Sequence, residues 1–498
     1  MNVNPITRLD YPDPDVIRVE DTYYMVSTTM HFMPGCEILQ SFDLVHWEHV
    51  TYVYETLDHT DAQQLKSGQN IYGQGMWAAS LRYHEGRFYI CFVANDTRKT
   101  YLYTSEKIDG PWKKQLIEGF YHDGSLLFDE DGRSYIVYGN DEIWITELNE
   151  DLTAPKKDGL HRLLVSDHKN PELGYEGSHI QKINGYYYIF LVHSLRDRWM
   201  RTEACFYSDS LEGEFTGGDV LCDDRGYCGQ GVAQGGIVDT PDGKWYAMLF
   251  QDSGAVGRIP ILLPVTWKDH FPFFGQNGHV PEEIEVHSTR PGYIYQPLVG
   301  SDDFCNGLLP RWQFNHDPDP RYYHLDALQG TYTITTREVC TELTQAVNTL
   351  TQRMSYPSCA AEVTVDASAL KEGDVAGLCA LQGCYAAVGI TKHHGKYEVL
   401  MLDKKEDGIL DMTEGTVVES HQMDFRLEAD FCNMKDEARC YYRVNKGDWL
   451  PIGTVHKLYF KLDHFTGCRF GLFCYAAEET GGSACFRDFK YYDVDEIS

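Results

Sequence analysis

The chain has 498 residues, with 75 Asp+Glu against 43 Lys+Arg and a formal net charge of −32. Such a charge repels phosphate backbones and excludes nucleic acid as a partner, and no apolar run approaches the 18 residues of a membrane span. Hydrophobic residues at 43% and aromatics at 13%, including 34 Tyr, exclude disorder and allow a large buried core.

The opening MNVNPITRLDYPDPD has neither a basic n-region nor an apolar h-region, so a cytoplasmic location is expected. The 15 Cys form no CxxC pair; five precede residue 300 and ten follow it. An odd count without zinc-site spacing reads as free thiols, mostly small core hydrophobes.

Residues 1–298 carry a five-fold repeat. The segments are DPDVIRVEDTYYMV from Asp13, WAASLRYHEGRFYICF from Trp77, DGSLLFDEDGRSYIVY from Asp123, EGSHIQKINGYYYIFL from Glu176 and QGGIVDTPDGKWYAML from Gln234. Most read as a strand, a DG, EG or NG turn, and a second, Tyr-rich strand, which is a β-hairpin signature. The lead residue stands 12 positions before the aligned Tyr in four segments and 11 before it in the first. SFDLVHW, TSEKIDGPW and YSDSLEGEF follow three of the hairpins as further shared sequence. Five all-β units of about 50 residues predict a five-bladed β-propeller with one four-stranded sheet per blade.

In a propeller the innermost strands line a channel, so the lead residues converge at one end of it. Three of those five, Asp13, Asp123 and Glu176, are carboxylates. Alone, each has an ordinary reading: a turn former before Pro, a hairpin Asp, a solvated strand-end acid. Their shared register sets them apart from Asp15, Asp129, Glu130, Asp131 and Asp242, which lie off it or in turns. Cleaving an acetal between sugars needs an acid for the leaving oxygen and a base or nucleophile on the opposite face. A third carboxylate can tune the acid. Trp77, at the same point of the second segment, offers a flat face to a sugar ring.

Residues 299–498 change character. About ten short alternating runs, among them TYTITTR, AAEVTVDAS, KYEVLMLD, RFGLFCYA and CFRDFKYYDV, are joined by Gly/Asp turns and predict a β-sandwich of jelly-roll or concanavalin-like type. The join near residues 291–301 is short, so the two domains should pack together.

At these residues the sequence resembles glycoside hydrolase family 43. YPDPDVIRVEDTYYMVST, HDGSLLFDEDGRSYIVYG and YEGSHIQKINGYYYIF are similar to its three acidic motifs, in order. The resemblance implies an inverting, pentose-releasing propeller enzyme. It places the general base at Asp13, the carboxylate that tunes the acid at Asp123 and the general acid at Glu176. GRIPILLPVTW implies a sugar-binding arginine at Arg258, and GMWAASLRYHEGRFY a pocket tryptophan at Trp77. His31 and Phe32, in TTMHFMPG, are further candidates to line the pocket, as is Gln234. FCNGLLPRWQFNHDPDP and GDVAGLCALQGCYAAVGI resemble the sandwich of the family's larger β-xylosidase-like members, which implies exo-acting release of single sugars.

Many members carry a His where this chain has Gln234, and that His can hold a central Ca²⁺. An amide ligates Ca²⁺ only weakly, so the expectation is no required cofactor, no dedicated metal site, and Ca²⁺ left open. The expected substrate is a small xylo-oligosaccharide attacked by a β-D-xylosidase. An α-L-arabinofuranosidase, or an enzyme with both activities, is the near alternative. A fructan-active hydrolase is remote because its NDPNG and RDP motifs are absent. A non-catalytic sugar-binding propeller is remote because all three acids are present. A homo-oligomer is compatible with the sequence.

Overall fold

The computed structural model describes residues 2–493. Among them there is no α-helix, only strands and four single-turn 3-10 segments. The first domain is a ring of five four-stranded antiparallel sheets, each made of consecutive strands except the first, whose second and third strands flank the short strand Phe32–Met33. The innermost strands are Asp15–Val19, Met76–His84, Ser125–Phe128, Glu176–Ile183 and Val232–Asp239. Each packs against the innermost strands of both neighbouring blades, and the fifth meets the first, closing the ring. The chain start ties the closure. Asn2–Val3 pairs with Glu283–Ile284, and the Asn4 amide donates to Leu262 O at 2.7 Å and Pro281 O at 3.0 Å.

The second strand of each blade is sandwiched between neighbouring sheets, so both its faces are apolar. Tyr186–Ser194 and Trp245–Asp252 are buried along almost their whole length. This is where the Tyr excess goes: Tyr135, Tyr188 and Tyr246 are buried in the contacts between blades.

Strand pairing refines the repeat. Tyr24 pairs with Ile17, Tyr89 with Arg82 and Tyr188 with Gln181, each seven residues back. Tyr135 pairs with Leu127 and Tyr246 with Val238, eight back, because those hairpin turns are one residue longer. Counted from the paired residue, Glu176 and Trp77 therefore share a register with His122. Asp13, Asp123 and Gln234 share one with Gly177. These last four all have left-handed backbone, with φ of 53°, 48°, 64° and 67°. Such φ values are strained for Asp and Gln and tend to gather where function fixes them. Bulges follow Met76, Glu176 and Ala233 on the inner strands and re-aim the side chains at the channel end.

The second domain is a sandwich of a nine-stranded and a seven-stranded sheet around one core that includes Val363, Leu378, Phe425, Phe470 and Phe486. Leu298 packs on the propeller, Val299 on both cores, and Gly300 N donates to Gln352 Oε1 in the sandwich. Ala255, Val256 and Ile259 of the propeller join the sandwich core. The ninth strand of the larger sheet is Phe32–Met33, lent by the propeller and paired with Gln313–Asn315. Arg353 completes the seam, with an ion pair to Glu37 at 2.9 Å, a hydrogen bond to Asp10 O at 2.9 Å and its guanidinium over Tyr11. None of the 15 thiols is bonded to another, and ten are buried.

Candidate active site

The three acidic motifs meet at one end of the channel. Asp13 precedes the inner strand of the first blade and is buried. Thr28 Oγ1 donates to its Oδ2 at 2.6 Å, and Arg258 Nη1 donates to its Oδ1 at 3.1 Å. Arg258 opens a strand of the fifth blade and is almost fully buried. Its backbone is held by Asp10 Oδ1 at 2.8 Å, and its guanidinium lies 4.2 Å from the ring centroid of Phe465.

Asp123 is buried and accepts the Gly177 N–H at 2.9 Å. Glycine is favoured at position 177 by the space as well as the backbone. Its φ is +67°, and a Cβ there would lie 2.8 Å from the Gln234 side chain. The adjacent Glu176 is pulled into place by this contact. Its Oε2 accepts Asn140 Nδ2 at 2.8 Å and faces His122 Nε2 at 3.4 Å. His122 Nε2 is also 3.5 Å from Asp123 Oδ2.

The electrostatics follow from burial and crowding. Asp123 is pushed up to about 6, first by burial and then by the charges of Glu176 and Asp13, with His122 opposing. Burial disfavours the imidazolium of His122. The carboxylates of Asp123, Glu176 and Asp13 outweigh it and raise His122 to about 9. Near neutral pH the site thus holds a cationic histidine beside the carboxyls of Asp123 and Glu176.

Beside this cluster is a cavity of about 750 Å³. Trp77, His122, Asn140, Glu176, Trp199 and Arg201 line it from the propeller, and Met434, Asp436, residues 457–462 and Phe465 from the sandwich. Trp77 lines the cavity with its ring, while its indole N–H is buried without a hydrogen-bond partner. Asp13, Asp123 and Arg258 are outside the lining, and Arg258, expected to bind sugar, is instead buried under Phe465 and paired with Asp13.

The sequence profile of Glycosyl hydrolases family 43 matches residues 3–272, and that of the Beta xylosidase C-terminal Concanavalin A-like domain matches residues 301–492. The chain belongs to glycosyl hydrolase family 43. It is 27% identical to a Beta-xylosidase of Formosa agariphila, over 99% of this chain and 89% of that one. A bifunctional GH43-CE protein of Bacteroides eggerthii superposes with a TM-score of 0.93 at 42% identity; the match covers all of this chain but 64% of that longer one. An engineered GH43 glycoside hydrolase with endo-xylanase and exo-arabinofuranosidase activity superposes with a TM-score of 0.88 at 27% identity, over 99% of both chains.

The structure of this family 43 hydrolase brings Asp13, Asp123, Glu176, Trp77 and Arg258 together. It does not bring His31 and Phe32 to the cavity. His31 is wholly buried at the domain seam, with ring centroids 4.8 Å from His316 and Tyr72 and 5.8 Å from His464. Phe32 belongs to the lent strand and lies under Arg469, 3.4 Å from its guanidinium. Both follow Asp13 closely in sequence, but the chain turns away to complete the sandwich sheet. Gln234 is buried against Gly177, its N–H donating to Glu203 Oε2 at 2.7 Å, and is outside the cavity lining.

Four contributors escaped the sequence reading. His122 was hidden by the one-residue difference between hairpin turns. Asn140 ends the second strand of its blade, a position without a motif. Arg201 is buried, paired with Asp252 at 2.9 Å and 5.2 Å from Trp199. The sandwich segment 457–465 arrives from nearly 300 residues beyond Glu176, and no local pattern announces it.

A calcium ion on the channel axis can be tested against the donors present. Asp15 Oδ1 is buried without a hydrogen-bond partner and lies 3.7 Å from His179 Nε2. One carboxylate oxygen, one imidazole and a distant amide fall well short of the six to eight oxygens that Ca²⁺ takes. Asp15 is already paired with a protein cation. The guanidinium of Arg82 donates to Asp15 Oδ2 at 2.8 Å, Leu126 O at 2.8 Å, Ser125 Oγ at 2.7 Å and Ile180 O at 3.1 Å, bracing four blades. This donor set does not fit the ion. Ligand atoms of His122, Asp123 and Glu176 also lie within 4.8 Å of one another, and there the imidazole of His122 faces both carboxyls.

Proposed function

We propose that this enzyme releases xylose from the non-reducing ends of xylo-oligosaccharides by single displacement with inversion. Asp13 takes a proton from water as the water attacks the anomeric carbon. Glu176 gives a proton to the glycosidic oxygen as its bond to that carbon breaks. Asp123 keeps negative charge within 4.8 Å of Glu176 and so favours the protonated acid. Arg258 and Thr28 fix Asp13, and Trp77 supports the sugar ring.

The observation that carries the exo reading is the wall contributed by the sandwich. Phe465 packs 5.7 Å from Trp77 and over Arg258, so an open cleft passing over the carboxylates is interrupted there. The names of the relatives favour xylose, and those that include arabinofuranosidase activity support L-arabinofuranose as a second sugar in the same pocket. No metal is needed in this reading, since Arg82 already pairs with Asp15. Digestion of xylohexaose tests it. Xylose and xylopentaose as the first products support the exo assignment, and early xylobiose or xylotriose refutes it. Parallel rates on 4-nitrophenyl β-D-xyloside and α-L-arabinofuranoside rank the two sugars.

A further inference from the structure

We propose that His122 is the positioning residue of the general acid: lodged between Asp123 and Glu176, it orients the Glu176 carboxyl and sets how readily that carboxyl gives up its proton. The inference rests on the assignment of Glu176 as the acid.

Three observations carry it. First, strand pairing puts His122 in the same blade register as Trp77 and Glu176, so the inner-strand geometry that aims those side chains at the channel end also aims His122. Second, its Nε2 is 3.4 Å from Glu176 Oε2 and 3.5 Å from Asp123 Oδ2, so one imidazole spans both acids. Third, the ring is held edge-on to Trp77, with centroids 5.8 Å apart and an angle of 62°. Asn140 and His122 both address Oε2 of Glu176. That leaves Oε1 as the oxygen free to carry the transferable proton.

The charges around His122 fix the sign of its effect. Asp123 adjoins it in sequence, Glu176 faces it from the fourth blade and Asp13 from the first. Arg258 pairs with Asp13 and Arg201 with Asp252, so the nearby guanidinium groups already have partners. In the forward step the C–O bond breaks, its electron pair goes to the leaving oxygen, and the Glu176 proton follows. The Glu176 carboxylate left behind faces an imidazolium, which stabilises it as its charge develops. Without His122 the acid holds its proton more tightly and is less well aimed.

The test compares His122→Asn with wild type on xylobiose, whose leaving group needs protonation, and on 4-nitrophenyl β-D-xyloside, whose leaving group needs little. The expected loss in kcat is about 10- to 100-fold on xylobiose and less than about threefold on the aryl xyloside. The alkaline limb of kcat/KM should move to higher pH. His122→Gln, with the same expected pattern, guards against an idiosyncratic folding defect. Equal losses on both substrates, or an alkaline limb that stays put, would overturn the proposal. Glu176→Ala is run alongside. If it slows both substrates alike, the acid lies elsewhere and the proposal falls with that assignment. If Glu176→Ala is selective and His122→Asn is not, the proposal alone falls.

Discussion

Arg258 reaches from the fifth blade to hold Asp13 of the first, Nη1 to Oδ1 at 3.1 Å, in a pair that is almost wholly buried. The contact joins the two ends of the propeller's sequence at the site of chemistry. Removing one partner of a buried pair strands the other. Arg258→Ala should therefore cost about 3–5 kcal/mol of stability and lower kcat/KM by about 10²- to 10³-fold. Arg258→Lys should recover part of the stability but little activity, because a point charge cannot reproduce the planar fork. Thermal melts and xyloside kinetics on the two variants check this.

Phe465 tests whether the sandwich builds the pocket. Its ring covers Arg258 and flanks Trp77. Phe465→Ala should raise KM for short xylosides roughly tenfold, the scale of one lost aromatic contact of about 1–1.5 kcal/mol. Global stability should change little by comparison with Arg258→Ala. An unchanged KM would assign the sandwich a purely structural role.

The seam predicts acid sensitivity. Burial holds His31 and His316 well below the usual imidazole range and lowers His464 to about 4; like charges among them add to this, while Asp463 opposes it at His464. A base whose folded value is depressed takes up protons mainly on unfolding. Its contribution to stability is therefore present above about pH 6.5 and lost as pH falls toward 4. Ile71 N donates to His316 Nε2 at 3.0 Å, an acceptor role that a glutamine oxygen can take. His316→Gln should flatten the fall in melting temperature between pH 6.5 and 4. An unchanged slope would remove His316 from the account.

His122 gives the opposite pH signature. Its folded value is raised to about 9, so the stability it contributes is fully present below about pH 6.5 and lost as pH rises through 9. The melting temperatures of wild type and His122→Asn should differ most below pH 6.5 and converge above pH 9.

Chelation tests the Arg82 bracing of the channel. Dialysis against EDTA should leave kcat and the melting temperature unchanged. Activity lost on dialysis and restored by Ca²⁺ would contradict the reading of the channel donors.

The propeller and its acids were readable from the sequence because each blade repeats a Tyr-rich strand whose burial between sheets demands that composition. The sandwich was readable from strand alternation. What escaped detection depended on long-range placement. His31 and Phe32 sit close to Asp13 in sequence, yet pairing of Phe32–Met33 with Gln313–Asn315 carries them into the seam. His122 stands beside Asp123 in the chain. A count of 12 residues to the aligned Tyr cannot reveal that turns of different length shift the register by one.

The central claim is that Asp13 and Glu176 act from opposite faces of one sugar, with water between them. Proton NMR of the xylose released in the first minutes from a β-xyloside tests it most directly. The account predicts that the α-anomer appears first and that the β-anomer grows in only by mutarotation. The β-anomer appearing first would contradict it.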